Sequence, residues 1–293
     1  MSADRIEASK AYAGDVAARR RRPITVLEPK KGWAAINLAE LWSYRDLLWT
    51  LIERDLKLRY KQTFLGVVWV VLQPLAAAVI FAAIFGRFAR LPSDGVPYLL
   101  FVFSGLTAWN YFAGALQRAG NSLVASAQLV TKTYFPRMLI PLAHTLAMLV
   151  DFAVMLAVLA FFMAIYHVAP TWQLIGLPLF LLLITLTAMG VSLWLSALSV
   201  KYRDFMYAVP FLIPVWMFAS PVAYAASVIP DHWQILYHLN PAVGFIEGFR
   251  WSILGRGAVT TETFLISTGV SVFFFVSGAY YFRRVEREFA DVI

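Results

Sequence analysis

Six long apolar runs, separated by short polar stretches, occupy most of the chain after residue 64. A helix needs roughly 20 apolar residues to cross a hydrocarbon core of about 30 Å, and each run comes to about that length. The pattern therefore predicts an all-α, polytopic membrane protein with six transmembrane helices. The runs cover residues 65–86, 97–116, 139–166, 174–200, 205–225 and 264–282.

Two of these runs are less uniform than the others. The second contains Ser104, Thr107 and Asn110, and the fifth contains three prolines. A proline removes one backbone hydrogen bond from a helix and bends it, and the freed carbonyl is tolerated beside a water-filled space. We therefore expect the fifth helix to be kinked. Its prolines are Pro210, Pro214 and Pro221.

The composition excludes a soluble protein. Hydrophobic residues make up 60% of the chain and charged residues 14%, and the mean hydropathy is +0.68, a mixture that cannot also build a water-facing surface. The absence of cysteine excludes disulfides and thiol catalysis. A formal net charge of +8 is compatible with nucleic acid. In so apolar a chain, however, it is typical of the cytoplasmic side of a membrane protein, so we expect no nucleic-acid partner.

The basic residues predict the orientation. With both termini in the cytoplasm, 21 of the 25 Lys and Arg residues lie on the cytoplasmic side of the predicted helices. This distribution follows the positive-inside rule, so we predict that both termini are cytoplasmic. The basic run Arg19–Arg22 is not followed by the apolar segment of a signal peptide. Residues 1–36 are therefore expected to be an uncleaved, disordered basic tail.

Residues 37–61 predict a helix on the membrane surface, directly before the first span. Ser43, Asp46, Thr50, Glu53 and Lys57 recur at steps of three or four and form one polar stripe beside a leucine-rich one. Such a helix lies in the membrane interface. Its mixed charges suit a docking surface as well as a plain anchor, and the sequence leaves both interpretations open. The predicted domains are the tail 1–36, the interface helix 37–61 and a six-span transmembrane domain 62–293.

Two short apolar helices are predicted in residues 229–255, before the sixth span. Pro230 suits the start of one helix, Asn240 and Pro241 suit the cap and first turn of the next, and Gly255 suits its left-handed end. Neither helix is long enough to span, so we expect a re-entrant hairpin that forms an outer gate. A hairpin lying flat on the outer surface is the alternative. The gate residues are Pro230, Trp233, Asn240, Pro241, Glu247 and Arg250.

Sequence motifs of enzyme chemistry are absent. The chain has no G-x-x-x-x-G-K-[ST] phosphate loop, no H-E-x-x-H motif and no zinc-ligand spacing among its four histidines, so we expect neither enzyme activity nor a metal or cofactor bound by this chain. His144 and Asp151 share one face of the third span, where ionisable groups are costly. They could relay protons. A single acid with no basic partner in a neighbouring span favours a neutral Asp151 hydrogen-bonded between helices.

Three motifs resemble the permeases of type-2 ABC exporters, which move bacterial surface polysaccharides such as O-antigen, capsule and teichoic acid. The first is DLKLRYKQTFLGVVWVVLQPL, in which Arg59-Tyr60-Lys61, Leu65-Gly66, Trp69 and Gln73-Pro74 match the family's pattern. The second is LSVKYRDF, residues 198–205, and the third is NPAVGFIEGFRWSILG, residues 240–255. The resemblance extends from about residue 38 to the C-terminus.

The resemblance implies a channel between two permeases, the second expected to be identical, above two separate ATPase subunits that use ATP and Mg²⁺. The cargo would be a lipid-linked polysaccharide, O-antigen or capsule, crossing the bacterial inner membrane. The resemblance also implies a short coupling helix, capped by Asn121 and running from Ser122 to about Val130, that docks to the ATPase. The implied docking residues are Asn121, Ser122, Leu123, Gln128, Lys132, Arg137, Arg54, Arg59, Lys201 and Arg203.

Aromatic side chains would suit the wall of such a channel, because they give sugar rings broad contact without strong anchoring. Membrane-interface belts are the other common use of Trp and Tyr. The channel candidates are Trp69, Trp109, Tyr111, Trp216 and Tyr224. Two other functions stay open: an ABC exporter of a drug or lipid, and a proton-coupled secondary carrier that uses His144 and Asp151. The internal repeats typical of such carriers are not found in the sequence.

Overall fold

A computed structural model describes residues 38–61, 66–257 and 259–289 of the chain. The predicted basic tail, residues 1–36, lies outside the described residues. Within them the chain forms eleven α-helices, three 3₁₀ turns and one π-helical segment, and no described residue is in a strand. The prediction of an all-α fold is therefore confirmed for this part of the chain.

The predicted interface helix is present as two consecutive helices, α1 (Leu38–Ser43) and α2 (Arg45–Tyr60), with a turn at Tyr44. The helix α2 buries Leu51 and Ile52, which belong to a core cluster that it shares with the third long helix. Its opposite side is polar and exposed, as the stripe of charged residues predicted. The apolar stripe therefore serves to attach this helix to the bundle.

Among the described residues, five helices are long and apolar enough to cross a membrane. They correspond to the first, second, third, fourth and sixth predicted runs, so these five predictions are confirmed. The helices are α3 (Gly66–Phe81), continued by the π-helical segment Ala82–Phe88; α4 (Tyr98–Ala125); α6 (Leu139–Ile165); α7 (Leu177–Lys201), preceded by the 3₁₀ turn Trp172–Gly176; and α11 (Thr261–Val285).

The fifth predicted run is only partly helical. Helix α8 (Phe205–Phe218) has 14 residues, or about 21 Å of helix, which is less than the thickness of a hydrocarbon core. Pro210 and Pro214 lie inside it, but Pro221 lies beyond its end, so the expectation of one kinked helix through all three prolines is wrong. The chain turns instead, because the amide of Asn240 binds the first backbone carbonyl past the helix end. A sixth transmembrane helix stays a prediction.

The predicted coupling helix begins later than expected. Helix α4 runs without a break to Ala125, so Asn121 lies inside it and is not a cap, and the short helix is α5 (Ala127–Lys132). The reason is burial: Ala119 and Leu123 are fully buried against the bundle. Tertiary packing of this kind outweighs the local preference of a single asparagine.

The predicted hairpin is confirmed as a pair of short helices, α9 (Asp231–His238) and α10 (Pro241–Leu254). Asn240 is the N-cap of α10, and its side chain accepts a hydrogen bond from the backbone N–H of Ala242. Gly255 follows α10 with a φ of +65°, a conformation that only glycine adopts without strain. Insertion of this hairpin into the membrane stays a prediction.

Helix α4 is the centre of the bundle and packs against α3, α6, α7 and α10. Helices α7 and α11 also approach each other closely, where Gly190 faces Gly278. A Cβ atom on Gly190 would lie 2.4 Å from the backbone of Phe274. Small residues allow membrane helices to pack backbone to backbone in this way. A polar cavity lies beside α4, on the side of α3, α6 and α8.

Candidate functional site

A cavity of about 540 Å³ lies among α3, α4, α6 and α8, beside the end of α2. Its wall combines aromatic rings with amide and charged groups, which suits a ligand that has both apolar faces and polar groups. The polar part of the lining includes Arg59, Tyr60, Gln73, Asn110, Gln117, Arg118 and Asp151, and the aromatic part includes Trp69, Trp109, Tyr111 and Phe152.

Arg59 connects the end of α2 to α6 at the edge of this cavity. Its Nη1 lies 2.5 Å from Asp151 Oδ2, and its Nη2 lies 3.2 Å from Asp55 Oδ2. Tyr60 donates its hydroxyl to the other carboxylate oxygen of Asp151. Burial, together with this hydrogen bond to a carboxylate, raises the pKa of Tyr60 to about 12. The phenol is therefore a neutral donor at physiological pH, and Asp151 accepts from two side chains of the interface helix.

The sequence predicts no basic partner for Asp151 in a neighbouring span. Its partner comes instead from the interface helix α2, 92 residues earlier in the chain. His144 also belongs to the cluster: its Nε2 lies 3.6 Å from Asp55 Oδ1, and its Nδ1 lies 2.9 Å from Ile140 O. Ion pairs therefore link the interface helix to the middle of a transmembrane helix.

Three of the five predicted channel residues line the cavity. Trp109 and Tyr111 are each only 2% exposed, and Trp69 is 52% exposed. Trp216 is not in the lining, but its ring contacts that of Trp109 edge-on, with centroids 6.4 Å apart. Tyr224 lies outside this aromatic wall and donates its hydroxyl to a backbone carbonyl.

The first motif supplies a large share of the lining, from two separate helices. Arg59 and Tyr60 reach the cavity from α2, and Trp69, Gln73 and Pro74 reach it from α3. The spacing within the motif is therefore explained by geometry, because one wall of the cavity is built from both helices. The motif was the strongest signal of the site in the sequence.

Sequence reasoning missed three polar residues of the lining, all on α4. Asn110 lies within the second predicted run, whereas Gln117 and Arg118 lie beyond its predicted end at residue 116. Because α4 continues to Ala125, these residues lie on one helix, at steps of seven and eight residues that return to the same face. The signal could have been found by extending the helix period past residue 116.

The implied docking residues divide into exposed and buried groups. Ser122 and Leu123 are buried, at 1% and 0% exposure. Arg137 Nη1 donates to the carbonyl of Glu286 over 2.6 Å, and Arg59 is directed to the cavity. The exposed members lie at the end of the bundle that carries α2; they are Arg54, Gln128, Lys132, Lys201 and Arg203.

Asn240 attaches the hairpin to the end of α8. Its Oδ1 accepts from the backbone N–H of Ala242 over 3.0 Å and from Trp216 Nε1 over 2.9 Å. Its Nδ2 donates to Ala219 O over 3.0 Å and to Ser220 Oγ over 3.1 Å. One side chain therefore caps α10, closes the end of α8 and holds Trp216 beside the aromatic wall.

The other predicted gate residues differ in burial. Arg250 and Glu247 form a buried ion pair, with Nη1 2.7 Å from Oε1. The Arg250 guanidinium also lies 3.7 Å from the ring centroid of Phe101 and donates to a backbone carbonyl. A buried arginine that is paired on several sides anchors the hairpin to α4. Pro230 and Trp233, in contrast, are exposed.

Comparison with known proteins identifies the family. Residues 46–254 match the family model described as ABC-2 type transporter. The chain belongs to this family. It is similar to the O-antigen export system permease protein RfbA of Klebsiella pneumoniae, with 29% identity over 249 residues, 85% of this chain and 95% of the relative. It is also similar to the O-antigen export system permease protein RfbA of Myxococcus xanthus, with 28% identity over 256 residues, 87% of this chain and 98% of the relative.

A third similarity covers a smaller region. The inner membrane transport permease YadH of Escherichia coli is 32% identical over 108 residues, 36% of this chain and 40% of the relative. The ABC-2 family match, together with the five apolar helices, shows a multi-pass membrane protein. The matched range begins in α2 and ends at the last residue of α10, so it contains the cavity and the hairpin.

Proposed function

We propose that this ABC-2 permease is the membrane subunit of an ATP-driven exporter that moves a lipid-linked surface polysaccharide, O-antigen or capsule, across the bacterial inner membrane. The observation that carries the proposal is the cavity, where Trp69, Trp109 and Tyr111 lie beside the amides of Gln73 and Asn110. Aromatic rings pack on the apolar faces of sugars, and amides hydrogen-bond to their hydroxyls. The similarity to O-antigen export permeases over most of both chains supports the same cargo.

A second, identical copy would complete the channel. Helices α3 and α8 form one wall of the cavity, and both expose large apolar side chains. Ile80 on α3 is 54% exposed, and Phe211 on α8 is 70% exposed. A twofold pair joined along these helices would bury such side chains and enclose one channel between two cavities. Six spans per copy follow if α8 and the turn after it cross the membrane together.

Two ATPase subunits would dock at the end of the bundle that carries α2 and α5, where they would bind ATP and Mg²⁺. The exposed Arg54, Lys132, Lys201 and Arg203 lie at this end. The distribution of basic residues supports a cytoplasmic position for this end and for both termini. The chain has no phosphate loop of its own. Because Arg59 extends from α2 into the lining, a movement of α2 would reach the cavity directly.

Co-purification of the tagged chain in mild detergent tests the ATP-driven part of the proposal. Recovery of one ATP-binding subunit per permease, in a four-chain assembly, is the expected result. Recovery of the permease alone, with transport in vesicles insensitive to ATP, would contradict it.

The cargo is tested by Trp69→Ala, with Trp172→Ala as the matched control. Both tryptophans are more than half exposed, at 52% and 74%, so neither change should unfold the chain, but only Trp69 lines the cavity. Exported polymer should become shorter or disappear in Trp69→Ala and stay unchanged in the control. Equal export by the two variants would show that the aromatic wall does not contact the transported polymer.

A proton-coupled carrier is the second candidate, because His144, Asp55 and Asp151 form one continuous polar cluster with Arg59. Such a carrier would respond to a pH gradient without ATP. An ABC exporter of a drug or lipid would have the same ATPase partner but a different cargo. In that case, deletion of the chain would leave the amount of surface polysaccharide unchanged.

A further inference from the structure

Arg118 is a charged side chain of the cavity whose role the preceding sections leave open. It forms no hydrogen bond or ion pair within residues 38–61, 66–257 and 259–289. Arg59, Asp55 and Asp151 are near enough to interact with it electrostatically, but none of them binds it directly. A guanidinium keeps its charge at every physiological pH and carries five N–H donors. Arg118 is exposed, so its donors are open to solvent or to a ligand, and they have no acceptor in the described part of the chain.

A second hydrogen-bond donor without a partner lies in the same lining. Asn110 Nδ2 is buried without a hydrogen-bond partner among the described residues, and such a donor costs stability unless a ligand or water satisfies it. Asp151 is the carboxylate of the lining, and both of its oxygens already accept from Arg59 and Tyr60. Asp151 and Asp55 both pair with Arg59, so among the described residues around the cavity Arg118 is the arginine without a direct carboxylate partner.

Arg118 lies in the C-terminal half of α4, near enough to Asp151 to interact with it electrostatically. It lies seven residues before Ala125, the last residue of the helix, and 20 residues after Tyr98. At 1.5 Å per residue, the distance from Tyr98 is about 30 Å, the thickness of a hydrocarbon core. Trp69 and Trp109 line the same cavity and offer apolar faces to a ligand bound there.

We propose that Arg118, supported by Asn110, forms an anion site in the cavity that binds the phosphate or diphosphate group of an amphiphile. The planar fork of an arginine matches phosphate oxygens with two parallel hydrogen bonds, and the amide of Asn110 supplies a further donor. The inference rests on the proposed function, since a lipid-linked polymer would present such a group where its lipid and its sugars meet. The proposal places the binding site for this phosphate group on α4.

Equilibrium binding tests the site directly. The chain is placed in nanodiscs of phosphatidylcholine and titrated with farnesyl diphosphate and with farnesol, with binding to empty nanodiscs subtracted. The diphosphate is expected to bind at least tenfold more tightly than the alcohol. Arg118→Gln should abolish this preference, and Arg118→Lys should retain part of it. Equal affinity of the two probes, or a preference that survives Arg118→Gln, would overturn the proposal.

Arg256→Gln is the matched control. Arg256 is exposed and lines a separate pocket of about 710 Å³ beside the hairpin. Its removal should leave the preference for the diphosphate unchanged. Loss of the preference in this variant as well would mean that net charge alone attracts the probe, and it would overturn the assignment to Arg118. Thermal melting of all three variants checks that each is folded.

Two competitors distinguish the sources of the phosphate group. Displacement of farnesyl diphosphate by phosphatidylglycerol in the nanodisc would support a site for membrane headgroups. Displacement by inorganic diphosphate only would support a site that recognises the diphosphate itself. These measurements need no polymer export. If the diphosphate does not bind but polymer is still exported, only the proposed anion site is refuted. If the diphosphate binds but no polymer is exported, the anion site is supported and the proposed cargo is refuted.

Discussion

Arg59 Nη1 lies 2.5 Å from Asp151 Oδ2, which binds the last turn of the interface helix to the middle of α6. The two side chains are each 12% exposed, so water screens their attraction only weakly. The same guanidinium reaches Asp55, and the neighbouring Tyr60 reaches Asp151. The position of α2 and the shape of the cavity are therefore fixed by one set of hydrogen bonds.

Asp151→Asn should destabilise the chain, because it removes the charge from an acceptor that binds Arg59 and Tyr60. A hydrogen bond to a charged group is worth about 1.5–3 kcal/mol, so a clear fall in Tm of the purified protein is expected. The matched control is Glu53→Gln. It breaks the pair between Glu53 and Lys57, 2.6 Å apart, whose side chains are more than half exposed. Exposed pairs contribute less than about 1 kcal/mol, and similar Tm changes in the two variants would contradict the role given to Asp151.

The same geometry changes how the carrier and the exporter are distinguished. Loss of transport in Asp151→Asn would fit both, since the change disturbs the attachment of α2. His144→Gln separates them, because His144 lies at the end of the cluster, 3.6 Å from Asp55, and an amide does not titrate. An exporter should retain ATP-driven transport in inverted vesicles. Loss of uptake driven by a pH gradient, with no response to ATP, would instead support the carrier.

Asn240→Ala should destabilise the hairpin more than the loss of an ordinary helix cap. A lost N-cap costs about 0.5–2 kcal/mol, and Asn240 also binds Trp216 and the end of α8. Thr260→Ala is the comparison, since Thr260 caps α11 by accepting from the backbone N–H of Thr263. Thermal melting should show the larger loss for Asn240→Ala. An equal loss would mean that the bonds to α8 contribute nothing measurable.

Cysteine labelling would test the topology without background, because the chain contains no cysteine. Thr131→Cys and Ser227→Cys introduce exposed thiols before α6 and after α8. Three crossings separate them if α6, α7 and α8 all span the membrane. A membrane-impermeant maleimide added to spheroplasts should then label Ser227→Cys and spare Thr131→Cys until the membrane is permeabilised. Labelling of both, or of neither, would show that α8 does not complete a crossing.

The sequence predicted those features that depend on local pattern. Five long helices follow from apolar length alone, and the cap at Asn240 and the end at Gly255 follow from backbone chemistry. Contacts between distant segments could not be predicted in this way. The partner of Asp151 lies 92 residues away, and the end of α8 is set by a side chain 22 residues beyond it. The cavity contains residues of both kinds. Its residues on α2 and α3 belong to a motif that is visible in the sequence, whereas the sequence did not predict its polar residues on α4.

The contact between Gly190 and Gly278 has a consequence for motion. Because the backbones of α7 and α11 are in direct contact here, no side chains lie between them that could rearrange. The two helices therefore act as one rigid unit. Helix α4, buried on most sides against α6, α7 and α10, is held to that unit. We therefore expect the cavity to widen by movement of α3 and α8, the less closely packed helices of its outer wall, relative to α4, α7 and α11.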